Sequence, residues 1–265
     1  MVVNRLEVSL LGSFQITINE QLLTNFESDK ARALLAYLVI EANHSHRREA
    51  LAALLWSNKP TSAARNNLRQ TLYRLRKTIC DYEKISPYFI ITPKEIQFTH
   101  NNNTWVDVHI FNRSIQVYKT ELPEITPQSA DLLIQAVGLY RSNLLSGFTL
   151  ANCPEFEWWL MAKRERYHRL ALESLQHLTH YFICREDYDR AIHYAQHQIE
   201  REPWFEPAHR SKMLALALVG QTADALYQFE QCQQILLQVL DIQPALQTRR
   251  LAEKIRQGSF LGVVD

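Results

Sequence analysis

The apolar residues of the first hundred positions change period twice, and this restricts the chain to few folds. Leu6, Val8 and Leu10 alternate, as do Phe14, Ile16 and Ile18, with Gly12-Ser13 between them. Period two broken by a turn predicts a hairpin, and Gln21-Leu22-Leu23 can add a short third strand. Ala31, Leu34, Leu35, Leu38, Val39 and Ala42 then fall on one helical stripe that Ser28 or Asp29 can cap. A second helix is expected from about Arg47 to Trp56, burying Leu51, Leu54 and Leu55. Asn58-Lys59-Pro60 makes a loop, and Thr61 or Ser62 caps a third helix reaching about Cys80. Period two returns in Tyr88-Phe89-Ile90-Ile91 and Ile96-Gln97-Phe98, joined by a turn at Thr92-Pro93-Lys94-Glu95.

The third helix carries the most information. Leu68, Leu72, Leu75 and Ile79 must face a core, which leaves Asn66, Gln70, Tyr73 and Lys77 on the opposite face. Arg65, Arg69 and Arg76 flank one side of that face and Arg74 the other. From Thr61 to Cys80 there are five Lys/Arg and no Asp or Glu. A charged face is most often simply solvated. An ordinary solvated helix, however, mixes signs to gain i,i+4 pairing. Here bases alternate with amides, and Arg and Lys suit phosphate and guanine as Asn and Gln suit adenine. Asn66, Gln70, Tyr73 and Arg74 are the candidates for base edges in duplex DNA. Arg65, Arg69, Arg76 and Lys77 are the candidates for phosphates or shared base contacts, and Lys94 would reach the backbone from the hairpin.

Charge splits along the chain in the same sense. Residues 1–106 hold 13 Lys/Arg and 9 Asp/Glu, the remainder 16 and 19, for a formal total of +1. A mildly basic front fits a polyanionic partner. The four cysteines form no CxxC pair and read as free thiols in a reducing compartment. No signal-peptide pattern and no run of about 18 apolar residues occurs, so a cytoplasmic protein is expected.

The three helices and hairpin from Lys30 to Phe98 resemble the OmpR-type winged helix, a fold that opens with a small antiparallel sheet, as the strands before Lys30 also suggest. The closer likeness is to Streptomyces antibiotic regulatory proteins. Ala63-Ala64-Arg65-Asn66-Asn67-Leu68 and Tyr73-Arg74-Leu75-Arg76-Lys77 are similar to that family's recognition helix, and Leu51 with Leu54-Leu55-Trp56 to its second helix. The chain departs from the family at Ser57, where Gly is usual, and in a wing of Pro93-Lys94-Glu95 that lacks glycine.

From Asp107 onward helical spacing dominates. Breakers are sparse, among them Pro123, Pro127, Gly147, Pro154, Pro203, Pro244 and Gly262. Tyr188-x-x-Ala191-Ile192 recurs as Thr222-x-x-Ala225-Leu226, an offset of 34 residues. That is the period of tetratricopeptide helix pairs, with Pro203 read as closing the first unit. Leu139-Tyr140-Arg141 with Leu144-Leu145-Ser146-Gly147-Phe148 resembles the bacterial transcriptional activator domain. So do Pro154-Glu155-Phe156-Glu157-Trp158-Trp159-Leu160, Glu165-Arg166, and Ala223-Asp224-Ala225-Leu226 with Tyr227 and Phe229-Glu230. Phe156, Trp158 and Trp159 are expected to pack between helices.

The expected fold is mainly α: a winged helix-turn-helix with small β-sheets over residues 1–103, then an all-α tetratricopeptide-like domain over 104–265. The resemblance implies a transcriptional activator that binds promoter direct repeats, with RNA polymerase as a partner and homodimerisation through the helical domain. No GxxxxGK[ST], GxSxG, HExxH or CxxC occurs, so neither enzyme chemistry nor a cofactor is expected. Larger relatives carry an ATPase after the activator domain, so this chain is either a short form or a fragment. His193 and His197 stand at i,i+4, a spacing zinc could use, but no third ligand is near in sequence, and no metal is expected. Two rival readings remain: a helical-repeat adaptor whose front module binds protein, and an enzyme built on the His193/His197 pair. Salt-dependent duplex binding separates the first and metal analysis the second.

Overall fold

The computed structural model describes residues 5–81, 87–121 and 125–259; Pro123 and Gly262 lie outside them. The chain forms two compact units, Met1–Arg113 with Gly138–His168, and Ser114–Val137 with Arg169–Asp265.

In the first unit, β1 (Leu6–Ser9) and β2 (Gln15–Ile18) form the expected hairpin, with Leu6, Val8 and Ile16 buried. Gly12 in its turn has φ +144°, a backbone that only glycine adopts readily. β3 (Gln21–Leu22) follows. Ser28 caps α1 (Asp29–Ile40) by accepting from Ala31 N–H. α2 (Arg48–Leu55) buries Leu51 and Leu55, but Leu54 is only half-buried, because eight residues expose one flank of so short a helix. α3 (Thr61–Thr78) buries Leu68, Leu72 and Leu75, with Ile79 just beyond its end. Neither Thr61 nor Ser62 caps it. Pro60 holds the cap position with no side-chain bond, and its fixed φ starts the turn instead. The helix stops at Thr78 because Cys80 takes a left-handed φ of 55°.

Two strands escaped the sequence reading. β4 (His46–Arg47) pairs with β6 (Glu95–Phe98), which pairs with β5 (Phe89–Ile91), giving the sheet order β4-β6-β5. β7 (Thr104–Val106) runs parallel to β1 and completes a sheet of order β3-β2-β1-β7.

α4 (Asp107–Glu121) begins immediately after β7. The Asp107 carboxylate is fully buried and accepts N–H groups from Leu10 and Leu11 at 2.7 and 2.8 Å and from Val108 at 2.7 Å. α5 (Pro127–Leu139) leads to a non-helical stretch that adds to the same unit. Leu145 and Ser146 N–H donate to the carbonyls of Leu10 and Gly12, each at 2.8 Å. Arg164, on α6 (Pro154–Cys184), donates to the carbonyls of Leu144, Leu145 and Phe148 and ties this stretch down. Cys153 Sγ donates to the Leu55 carbonyl at 3.1 Å, and Lys30 Nζ contacts both.

The second unit contains two helix pairs, α7 (Tyr188–Arg201) with α8 (Glu206–Leu218), then α9 (Thr222–Leu240) with α10 (Leu246–Arg256). The 34-residue offset is the spacing between the starts of α7 and α9. Ala191 and Ala225 are both fully buried, as close helix approach requires. Pro203 does not close a unit: it lies between α7 and α8, and its carbonyl accepts from the buried His209 at 2.8 Å. Gln228 completes that histidine by donating to Nδ1 at 2.7 Å. Met213, Leu216, Phe229, Leu251 and Ile255 form the core between the pairs. Among the described residues no helix is long and apolar enough to cross a membrane.

Candidate nucleic-acid interface

The buried leucines of α3 fix its rotation, so Asn66, Gln70, Tyr73 and Lys77 all stand exposed, Tyr73 at 60%. Arg65, Arg69 and Arg74 are exposed beside them. The helix lacks acids in its own sequence but not in space. Arg65 pairs with Glu49 of α2 at 2.5 Å, and Arg74 with Glu27 at 3.0 Å. Arg69 donates to Asn66 Oδ1 at 2.8 Å, which aligns two of the candidate side chains. Among the described residues no carboxylate pairs with Arg69, Lys77 or Lys94.

Arg76 stands apart from the other candidates. It is half-buried, and its Nε donates to the buried Asp81 at 2.9 Å. The second oxygen of Asp81 accepts the Tyr88 N–H at the entrance to β5. This guanidinium therefore joins the end of α3 to the start of the hairpin.

The hairpin turn is rigid without glycine. Thr92 Oγ1 accepts from the N–H groups of Lys94 and Glu95 at 3.3 and 2.9 Å. Arg48 N–H donates to the Lys94 carbonyl at 2.9 Å, and Arg48 Nη1 to the Thr92 carbonyl at 3.3 Å. An open groove of about 700 Å³ lies between this turn, the start of α2 and the first turns of α3. Arg65, Asn66, Arg69 and Lys94 share it, whereas Gln70, Tyr73, Arg74 and Lys77 continue the exposed face along the helix.

Arg47 and Arg48 also line the groove and were missed. The adjacent arginines are visible in the sequence, but only the pairing of β4 with β6 brings them to the wing. The groove thus gathers five cations, Arg47, Arg48, Arg65, Arg69 and Lys94, against Glu49 and Glu95. Cations, amides and an exposed ring on an open surface suit a polyanion with readable edges.

The other features noted in the sequence do not converge on a site. His193 and His197 lie 4.3 Å apart, and burial, then the neighbouring His193, lowers the His197 pKa. Among the described residues no three His, Cys, Asp or Glu cluster as metal ligands. Phe156 is buried, and Trp159 lies 4.8 Å from Tyr37 and donates to Glu41 at 2.7 Å. Trp158, expected to be packed, is 66% exposed, since it points off the flank opposite Phe156 and Leu160. Burial raises the Glu41 pKa, but hydrogen bonds from Lys163 and Trp159 overcome it and hold the carboxyl below its usual range.

Residues 106–256 match the family model described as bacterial transcriptional activator domain. The fold is similar to that of Mycobacterium tuberculosis EmbR, solved in complex with a low-affinity phosphopeptide. The TM-score is 0.70 and the identity 24%, over 96% of this chain and 66% of that one. The chain thus spans just under two thirds of that relative's length. Comparison with curated proteins gave no match.

Proposed function

Since the chain belongs to the bacterial transcriptional activator domain family, matched over residues 106–256, we propose that it regulates transcription by binding duplex DNA. In this reading residues 1–103 are the DNA-binding module and residues 104–265 the activator domain. α3 enters the major groove. Asn66, Gln70, Tyr73 and Arg74 read base edges. Arg65, Arg69 and Lys77 hold phosphates, Lys94 touches the backbone from the wing, and Arg47 and Arg48 extend that contact. Arg76 braces α3 against the hairpin. The protein works in the cytoplasm by binding rather than catalysis, with RNA polymerase as its partner. Dimerisation on direct repeats raises affinity through effective concentration.

The observation that carries the proposal is the solvent-facing side of α3, whose own sequence holds no acid, running into a groove where five cations outnumber two carboxylates beside the wing. An adaptor that binds protein would not need this alternation of cations and amides. Fluorescence anisotropy of the purified chain with random-sequence duplex, between about 50 and 200 mM salt, tests it. If Arg65, Arg69, Lys77 and Lys94 each neutralise one phosphate, log K falls against log salt with a slope of about −3 to −4. Absence of duplex binding at the low-salt end overturns the proposal.

A further inference from the structure

The two acids beside α3 stand where a DNA-binding surface would gain nothing from them. Glu49 is 67% exposed and Glu27 53%, so neither is needed to satisfy a buried group. Each holds one arginine of the candidate face, Glu49 taking Arg65 at the groove and Glu27 taking Arg74 on the opposite flank. They come from different elements, α2 and the segment before α1, and the α3 sequence supplies no acid of its own. A phosphate approaching either arginine must displace a carboxylate and then sit beside it, like charge against like.

We propose that Glu27 and Glu49 are specificity-determining residues that guard the two flanks of the recognition helix by competing with DNA phosphates for Arg74 and Arg65. The inference rests on the DNA-binding reading above. Non-specific binding is almost wholly a phosphate interaction, so two guarded arginines weaken it on every sequence. The cost of breaking each ion pair is the same on every sequence. What differs is the repulsion, which a phosphate taking the arginine at a wrong site feels and a base edge taking it at the correct site does not. The guards therefore lower affinity overall and widen the gap between correct and incorrect sequences wherever the guarded arginine shares a base contact, Arg74 above all.

The test uses the full chain with Glu27→Gln, Glu49→Gln and the double substitution. Glu7→Gln is the control, since it removes the same charge from β1, where Glu7 pairs with Arg5 at 3.0 Å. The probes are a random-sequence duplex and the best duplex selected by the wild-type chain. Each guard substitution should tighten random-duplex binding about two- to five-fold, the range for freeing one exposed ion pair. It should steepen the salt slope by up to about 0.9 and lower the ratio of selected to random affinity. Glu7→Gln should leave all three unchanged. If Glu7→Gln acts as strongly as the guards, net charge explains the effect and the inference is overturned. It is equally overturned if wild type binds duplex and the guard variants bind it no more tightly. Should no variant and no wild type bind duplex at low salt, the DNA-binding reading itself falls and takes the inference with it.

Discussion

Single side chains decide two measurable properties. Burial pushes the Asp107 carboxyl up to about 6, outweighing the N–H groups of Leu11, Leu10 and Val108 and the Arg141 guanidinium 3.6 Å away. A folded pKa above the unfolded value means that the folded state binds the extra proton. Its stabilising contribution is complete below about pH 4 and is lost as pH rises through about 6. The stability of wild type relative to Asp107→Asn should therefore fall by on the order of 3 kcal/mol between about pH 4 and 7. Denaturant melts at a series of pH values measure it, and a flat difference would refute the assignment. On α3 the roles proposed for base-reading and phosphate-holding residues separate in another way. Gln70→Ala should cost about 1–3 kcal/mol and relax one position of the selected site. Lys77→Ala should weaken binding to all duplexes and reduce the salt slope by about one. Competition with altered sites distinguishes the two patterns. The identity and rotation of these side chains were legible in the sequence, because four leucine and isoleucine positions fixed the buried face. The partners of Arg65, Arg74 and Arg76 were not, since Glu49 and Glu27 lie outside α3 in other segments, and Asp81 follows the end of α3, where helical spacing no longer places a side chain.

The elements follow from pattern wherever they are long. α3 is held by a four-residue apolar stripe, so Leu72→Ala, at 4% exposure, should lower stability by about 2–5 kcal/mol. α9 ends at Asp241, which takes a left-handed φ of 54° with its N–H on the carbonyls of Leu236 and Leu237. Glycine relieves that backbone, so Asp241→Gly should stabilise the chain by about 0.5–1 kcal/mol. Urea unfolding of the full chain checks both, and destabilisation by Asp241→Gly would show that the carboxylate has a role of its own. Short elements were hidden for a plain reason. β4 is His46 and Arg47 alone, with no apolar residue, and β7 is only three residues long, so neither displays a period, whereas the equally short β5 lies inside the apolar run Tyr88-Phe89-Ile90-Ile91.

At the scale of the molecule, the two compact units do not follow the order of the chain. The family match begins at residue 106, near the boundary read from sequence between 103 and 104, yet β7, Asp107 and residues 138–168 pack with the N-terminal strands and helices. A fragment ending at residue 103 discards one sheet edge together with the donors and acceptors that satisfy Leu10, Leu11 and Gly12. It should melt well below a fragment of residues 1–168, or lose a cooperative transition altogether, as followed by circular dichroism. Equal melting would show that residues 1–103 form a self-sufficient domain.

The sequence alone determined where most of the helices and strands lie, which face of α3 meets solvent and the 34-residue helix-pair repeat, because each is written in local apolar spacing. Only the tertiary structure decided that a parallel strand from beyond residue 103 completes the first sheet. It alone turned Arg76 inward, joined Arg47 and Arg48 to the wing, and set two glutamates against the arginines of an acid-free helix. Apart from Arg76 and Asp81, which are five residues apart, those pairings link residues distant along the chain, and all their energies depend on which charges and donors meet in space, which apolar spacing does not encode.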